Sequence, residues 1–164
     1  MGNLPKHDGT DMIVSLFNLP TYKESDSTIK IKRAFIGDKD TILQFVENYF
    51  QDNWKYEVEH ALMQDVSKCF IVTEGTRILG FACYDSYAKG FFGPIGVDPK
   101  VRRRGVGSAL LVRTLNAMRE YGYGYAIIGW VSSDVADFYK KTVDAEPIKG
   151  NSEEGVFSNL IFVE

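Results

Sequence analysis

The sequence predicts an α/β (α+β) fold in which helices flank one central sheet. Three observations predict it. Apolar and charged residues alternate from Ile29 to Phe35, which is typical of a half-buried strand. Two β-rich runs surround a short turn at Glu74-Gly75, which predicts a hairpin. The C-terminal half then reads as β-α-β-α-β, so strands dominate first and helices are interleaved later.

The N-terminal part holds one strand-like segment ahead of the predicted domain. Met1–Asp11 is polar with Gly and Pro, which predicts a loose terminus. Met12–Phe17 is apolar and can add a strand or pack as an arm, within the domain or across a dimer. Pro20–Thr28 is typical of a linker. We therefore expect an extension over residues 1–28 and one domain over residues 29–164.

Two amphipathic helices follow the first strand of the domain. Asp38 can cap the first helix, and Asn53 starts the second. Apolar side chains recur at helical spacing in both. These positions are Ile42, Phe45, Val46 and Tyr49, then Trp54, Val58, Ala61 and Leu62. Both helices are therefore expected to pack one face on the sheet.

The next three predicted strands form the centre of the domain. Cys69–Thr73 and Ile78–Tyr84 make the hairpin, and Phe91–Val97 follows. Gly93-Pro94 interrupts this last strand, which predicts a bulge.

The remaining elements complete the β-α-β-α-β pattern. Gly105–Tyr121 is a predicted helix, and the apolar run Tyr125–Ile128 predicts a strand at the sheet centre. Ser132 or Ser133 caps a further helix, and Val156–Val163 is a predicted closing strand.

Composition excludes several classes of protein. The chain has 164 residues and a net charge of −3, so it lacks the basic surface expected of a nucleic-acid or anionic-membrane binder. No apolar run approaches the ~18 residues that span a bilayer. Cys69 and Cys83 form neither a disulfide framework nor a metal-ligand pattern, so we expect a cytoplasmic protein without a metal.

The most informative stretch joins the fourth strand of the domain to a helix. Four of the 19 Lys and Arg residues fall between Lys100 and Arg104. Gly105 and Gly107 follow at the helix start, where free N–H groups and the positive dipole end favour an anion. The sequence therefore predicts a phosphate site here, with a solvated charge run as the alternative.

The motif in this stretch distinguishes among phosphate ligands. A dinucleotide loop requires glycine where Leu110 stands, and a Walker loop requires a Gly-Lys pair, which the chain lacks. The Arg-x-x-Gly-x-Gly pattern of Arg102, Gly105 and Gly107, preceded by Gly96-Val97-Asp98-Pro99, resembles the coenzyme A pyrophosphate loop of the GNAT superfamily of N-acetyltransferases. A nucleotide-binding domain stays as a weaker alternative.

The resemblance implies the fold and the cofactor. We expect a mixed, mostly antiparallel sheet of six to seven strands, flanked by about four helices and splayed between strands 4 and 5 of the domain. Acetyl-CoA would insert its pantetheine arm at the splay, and the backbone N–H of Ile95 would polarise the thioester carbonyl. The implied cofactor-binding residues are Ile95, Gly96, Val97, Arg102, Arg103, Arg104, Gly105, Val106, Gly107, Ser108, Ser132, Ser133, Phe138 and Tyr139.

By the same resemblance, Tyr139 would protonate the leaving thiolate, although a purely packing role is the alternative. Some family members carry a glutamate base on the fourth strand. Phe91 and Phe92 occupy that part of the strand here, so no base is implied. Asp85 and His60 are candidates for the base, with no family motif behind them.

The acceptor is expected to be a primary amine. We predict that Trp54, Tyr84 and Asp85 contribute to its site, because aromatic walls with carboxylates suit a cation. The predicted function is N-acetylation of a small molecule or peptide by direct attack. The alternatives are a protein N-terminal or lysine acetyltransferase, and an acyl-CoA sensor without turnover. A homodimer is left open.

Overall fold

A computed structural model describes residues 9–23, 28–51, 53–149, 155–156 and 163. Within these ranges the chain forms one seven-stranded sheet with four α-helices. The strands are β1 (Thr10–Ser15), β2 (Ile29–Arg33), β3 (Cys69–Glu74), β4 (Arg77–Tyr84), β5 (Phe91–Val97), β6 (Tyr125–Val131) and β7 (Glu146–Pro147). The helices are α1 (Lys39–Tyr49), α2 (Trp54–Leu62), α3 (Val106–Tyr121) and α4 (Ser133–Val143), with short 3-10 helices at Ile36–Asp38 and Pro99–Arg104.

The order of the described strands is β2-β3-β4-β5-β6-β1-β7, and among them only β5 and β6 are parallel neighbours. The mixed, mostly antiparallel sheet is therefore confirmed, with the predicted fourth and fifth strands of the domain being β5 and β6. The apolar strand β6 lies inside the sheet, as its composition predicts. No helix in the described ranges is long and apolar enough to cross a membrane.

The two faces of the sheet carry separate apolar clusters. Side chains of α1 and α2 pack on Cys69, Ile71, Phe81 and Cys83. Helices α3 and α4 cover the opposite face, where Phe92 is part of the core. We call these the α2 face and the α3 face.

Strand β1 confirms that the apolar segment Met12–Phe17 adds a strand to the sheet, although the strand begins two residues earlier than predicted. It lies between β6 and β7, and Met12 and Val14 are completely buried. The expectation of a loose terminus through Asp11 is wrong, because Thr10 and Asp11 belong to this strand. The predicted closing strand at Val156–Val163 lies mostly outside the described residues.

Two predicted helix caps do not form side-chain hydrogen bonds. Asp38 and Ser132 occupy the N-cap positions of α1 and α4, but neither side chain bonds to its helix. For Asp38 the reason is the preceding 3-10 turn, which leaves it at φ −93° and ψ 7° rather than in the extended conformation that capping side chains use.

The parallel pair β5 and β6 is short and then separates. The two strands pair only at Phe91 with Ile127 and at Phe92 with Ile128. Immediately beyond, Gly93 and Pro94 together lie opposite Cys83 of β4, which is the predicted bulge. A gap therefore opens between the C-terminal parts of β5 and β6, and the predicted splay is confirmed.

Candidate active site

The gap between β5 and β6 is bordered by the starts of two helices. Strand β5 leads through Pro99–Arg104 into α3, and β6 leads directly into α4. Since the carboxyl ends of parallel strands lie at the same edge of a sheet, both helix N-termini lie beside the gap. The loop and helix residues named in the sequence prediction therefore meet here.

Asp98 anchors the loop that follows β5. Its backbone N–H donates to the carbonyl of Leu79 at 2.8 Å. Its side chain accepts from the N–H of Lys100 at 2.9 Å and from the Arg77 guanidinium at 2.5 Å. These donors hold the pKa of Asp98 below its ordinary value. Sequence reasoning missed this anchor, although Asp followed by Pro is a helix-start signal.

The N-terminus of α3 offers space for an anion. Gly105 has a φ of +73°, and a Cβ built on it would have no neighbour within 4 Å. A Cβ on Gly107 would make ordinary contacts of 3.7 Å with Phe138 and Val97. Neither glycine is therefore needed to avoid a clash within the protein, and together with the unpaired N–H groups of the first turn they fit a diphosphate.

The arginines of the loop have different partners. The Arg102 side chain donates to the carbonyl of Val97 at 3.4 Å. Arg104 forms an exposed ion pair with Glu74 at 2.7 Å. The side chain of Arg103 lies outside the described part of the structure. Arg102 is therefore held at the end of β5 and Arg104 is tied to β3, and both precede the α3 N-terminus.

Residues Ile95, Gly96 and Val97 form the β5 border of the gap. They pair with β4 on their other side, with Ile95 opposite Ala82. A Cβ on Gly96 would lie 2.6 Å from the Phe50 ring and 2.7 Å from the Phe81 ring. Glycine at this position is thus a packing requirement as well as a predicted contact for the cofactor.

Tyr139 projects from α4 into the core beside the gap. It is 7% exposed, and its ring contacts Phe92 and Phe138 with centroids 6.4 and 5.1 Å away. No described residue hydrogen-bonds to its hydroxyl group. Burial raises the pKa of Tyr139, so the phenol keeps its proton at neutral pH. Such a group can donate a proton to a ligand that enters the gap.

The three predicted acceptor residues are not brought together. On the α2 face, the Trp54 ring stacks on the Phe50 ring, with centroids 5.4 Å apart. Tyr84, by contrast, is buried on the α3 face. Asp85 is 4% exposed and accepts from Lys68 at 2.7 Å, from the Gly90 N–H and from Tyr123. Its hydrogen bonds therefore all go to groups of the fold itself.

His60, the other candidate for the base, also makes hydrogen-bond contacts within the fold. Its Nδ1 lies within hydrogen-bond distance of the Ser86 carbonyl, which can only accept, so Nδ1 carries the proton. The Gln64 amide lies 3.2 Å from Nε2. His60 thus ties α2 to the loop between β4 and β5.

The sequence model of the acetyltransferase (GNAT) family matches residues 38–143. The chain belongs to this family. No curated protein was found to match its sequence.

Solved structures of GNAT proteins share the fold. A GCN5-related N-acetyltransferase from Sphaerobacter thermophilus aligns with a TM-score of 0.71 and 20% identity, over 88% of this chain and 49% of that one. A fungal multi-domain GH3 beta-N-acetylglucosaminidase with a glucosamine N-acetyltransferase region aligns with a TM-score of 0.67 and 15% identity, over 85% of this chain and 20% of that one. An aminoglycoside acetyltransferase from an uncultured soil metagenomic sample aligns with a TM-score of 0.54 and 22% identity, over 73% of this chain and 90% of that one. This GNAT chain therefore spans a fifth to a half of the first two proteins.

Strand β1 lies outside the region that matches the family, yet it contacts the end of β6. The carboxylate of Asp11, 8% exposed, accepts from the Trp130 N–H and the Val156 N–H, both at 2.8 Å. Trp130 has a φ of +53°, which is uncommon for a residue with a side chain. Asp11 therefore stabilises the turn of backbone where β6 leaves β5.

We expect Asp11→Asn to lower the free energy of unfolding by about 1–3 kcal/mol. Asparagine keeps one acceptor oxygen and turns an N–H₂ group toward a backbone donor. Chemical denaturation checks this, with the exposed Asp65→Asn as the matched control. Equal stability of the two variants would contradict a stabilising role for Asp11.

Two further polar groups, which the sequence places among the aromatic and acidic residues around the acceptor side, have pKa values raised by their surroundings. Glu57 of α2 is half-buried, and burial raises its pKa to about 7. The hydroxyl of Tyr87 lies against the backbone of Gly129, where a Cβ would approach it to 2.6 Å. Burial raises the pKa of Tyr87, and Glu57 raises it further. A single glutamate on an amphipathic helix gives no sequence signal of this environment.

A cavity of about 580 Å³ lies elsewhere in this GNAT domain. Its lining includes Arg33, His60, Lys68, Ala117 and Tyr121. The last two are near the C-terminus of α3, which places the cavity about 20 Å along the helix from the proposed phosphate site. Its described cations, Lys68 and Arg33, already bind Asp85 and the Ser67 carbonyl, and Glu120 adds a negative charge to its lining.

Proposed function

We propose that this protein transfers an acetyl group from acetyl-CoA to the primary amine of a small molecule or peptide by direct attack. The observation that carries the proposal is the gap beside β5, which has an anion-accepting helix N-terminus and a buried phenol at its border. Family membership supports acyl transfer, and the acceptor class is our inference from the site.

Acetyl-CoA would be held mainly by backbone groups. The amides from Gly105 to Ser108 would bind its diphosphate, with Arg102 and Arg104 adding positive charge. Ile95 and Val97 would pair with the pantetheine arm along the unpaired side of β5. This orientation points the thioester into the gap, toward Tyr139.

The transfer then needs three events at the thioester. The amine nitrogen attacks the carbonyl carbon, and the Ile95 N–H stabilises the negative charge that develops on the oxygen. The carbon–sulfur bond breaks as the carbonyl re-forms. Tyr139 gives its proton to the departing thiolate, and the proton released from the new amide nitrogen restores the phenol. The products are the acetylated amine and CoA.

Release of free thiol from acetyl-CoA tests this function. The panel should contain 1,4-diaminobutane, glucosamine, an aminoglycoside, free lysine and a short peptide with a free N-terminus. Glucosamine and the aminoglycoside are included because two structural neighbours are named for such acceptors. Thiol release matched by acetylated product supports the proposal. Tight CoA binding without release would favour an acyl-CoA sensor instead.

We also propose a reducing, cytoplasmic environment for the protein. Cys69 and Cys83 are both free and buried, on facing positions of β3 and β4. Burial raises the pKa of Cys83, so its thiol stays protonated and is a poor nucleophile. This supports direct attack on the thioester rather than an acetyl-cysteine route.

A further inference from the structure

The proposed reaction requires a group that removes a proton from the incoming amine. An alkyl amine with a pKa of about 10 is almost entirely an ammonium ion at neutral pH, and only the neutral amine can attack. The β5 residues Phe91 and Phe92 cannot accept this proton. Asp85 and His60 are engaged in the contacts described above.

Glu57 lies on the side of α2 that faces the sheet. It comes three residues after Trp54 and four residues before Ala61. The Trp54 ring contacts the Phe81 ring, with centroids 6.2 Å apart, and Ala61 is completely buried. Residues at these spacings share one side of a helix. The carboxylate of Glu57 is therefore held over the sheet, where apolar side chains are the usual occupants.

Glu57 has no hydrogen bond or ion pair to any residue in the described ranges. The neighbouring carboxylate Glu59, by contrast, pairs with Lys39 at 3.0 Å. The side chain is half-buried, so the carboxylate is partly desolvated but still open to a ligand. A partly desolvated carboxylate without a protein partner is a candidate functional group, and a cationic amine is the ligand that suits it.

The surroundings of Glu57 connect it to the gap. Trp54, one turn before Glu57, stacks on Phe50, and the Phe50 ring lies against Gly96 of β5, where a Cβ would approach it to 2.6 Å. This part of α2 therefore lies over the β5 border of the gap, on the face of the sheet opposite Tyr139.

We propose that Glu57 accepts the proton of the substrate ammonium ion, so that the acceptor is an amine that arrives protonated from the α2 face. This inference rests on the proposed function and names its missing base. One N–H bond of the ammonium breaks and one O–H bond forms on Glu57. The neutral amine attacks the thioester, and the protonated Glu57 later releases its proton to solvent.

The titratable neighbours of Glu57 do not counteract this role. They are Cys83 from β4, Tyr87 from the β4–β5 loop and His60 one turn further along α2, whose ring contacts Ser86 and Gln64. The described lysines of α1 and α2 are paired with other carboxylates, Lys39 with Glu59 and Lys55 with Glu47. With no cation to hold it ionised, Glu57 has a pKa of about 7, which suits a base at neutral pH.

Glu57→Gln is expected to lower kcat/KM for the best amine of the panel by about 100-fold at pH 7. Its affinity for CoA should stay the same. The wild-type kcat/KM should rise with pH around 7, and in the variant this rise should move toward the pKa of the amine. Glu59→Gln is the matched control and should retain activity within about twofold.

A stability measurement tests the same carboxylate without any acceptor. Burial raises the pKa of Glu57 from its ordinary value of 4.5 to about 7 in the folded state, so the protein loses stability as pH rises from about 4.5 to 7. Glutamine does not titrate. Glu57→Gln should therefore raise Tm relative to wild type at pH 8.5 by about 2–6 °C more than at pH 4.5.

The outcomes separate the two proposals. If Glu57→Gln keeps the wild-type kcat/KM and pH profile, or if the Tm difference does not change with pH, Glu57 is not the base. If no amine of the panel is acetylated while the Tm difference grows with pH, the environment of Glu57 is as described but the proposed function fails, and the role of Glu57 as its base fails with it.

Discussion

Tyr139→Phe is expected to lower kcat at neutral pH by about 100-fold while leaving the Kd of CoA nearly unchanged. The phenol is buried and its raised pKa keeps it protonated, so it can supply a proton to the departing thiolate. Removal of the hydroxyl leaves the ring contact with Phe92 intact. Because no described residue bonds to this hydroxyl, the variant should also keep the stability of the wild type.

Steady-state kinetics with the best amine and calorimetric titration with CoA check this result. Tyr125→Phe is the control, because Tyr125 lies on β6 but is 58% exposed. It should behave as wild type. A large loss of CoA affinity with normal turnover in Tyr139→Phe would remove Tyr139 from the acid role and leave it a packing residue.

Gly107→Asp is expected to weaken CoA binding by about 100-fold, because it places bulk and negative charge where we expect the diphosphate. That factor corresponds to about 2.7 kcal/mol, or the loss of one or two charge-assisted hydrogen bonds. Gly107 is a better test than Gly105. Gly105 has a positive φ, so a side chain there strains the backbone whatever the ligand does.

The graded control at the same site is Gly107→Ala. A Cβ at this position makes only ordinary contacts, and alanine favours a helix more than glycine does. The alanine variant should therefore unfold at the same temperature as the wild type or higher, yet bind CoA less tightly. Unchanged CoA affinity in both variants would contradict the placement of the diphosphate.

The features that sequence predicts well are local ones. The hairpin of β3 and β4 follows from two β-rich runs around the turn at Glu74-Gly75, and the bulge follows from Gly93-Pro94. The start of α3 follows from glycines and cations within a few residues of each other. The splay between β5 and β6 came from the resemblance to the family, since no local pattern specifies it.

The features that sequence does not predict depend on contacts between distant segments. The interior position of β1 depends on pairing with β6, more than 100 residues later. Asp85 reads as a free carboxylate until Lys68 and Tyr123 fold onto it. Glu57 reads as part of a solvated helix surface until α2 packs over β4. For both carboxylates, the chemistry of the side chain is set by the groups that pack around it, which the local sequence does not encode.

A crystal structure of the complex with CoA tests the central claim most directly. We expect the diphosphate within hydrogen-bond distance of the amides from Gly105 to Ser108, and the sulfur between β5 and β6 within reach of the Tyr139 hydroxyl. CoA bound in the cavity beside Lys68, or a helix entrance left empty at saturating CoA, would contradict the account.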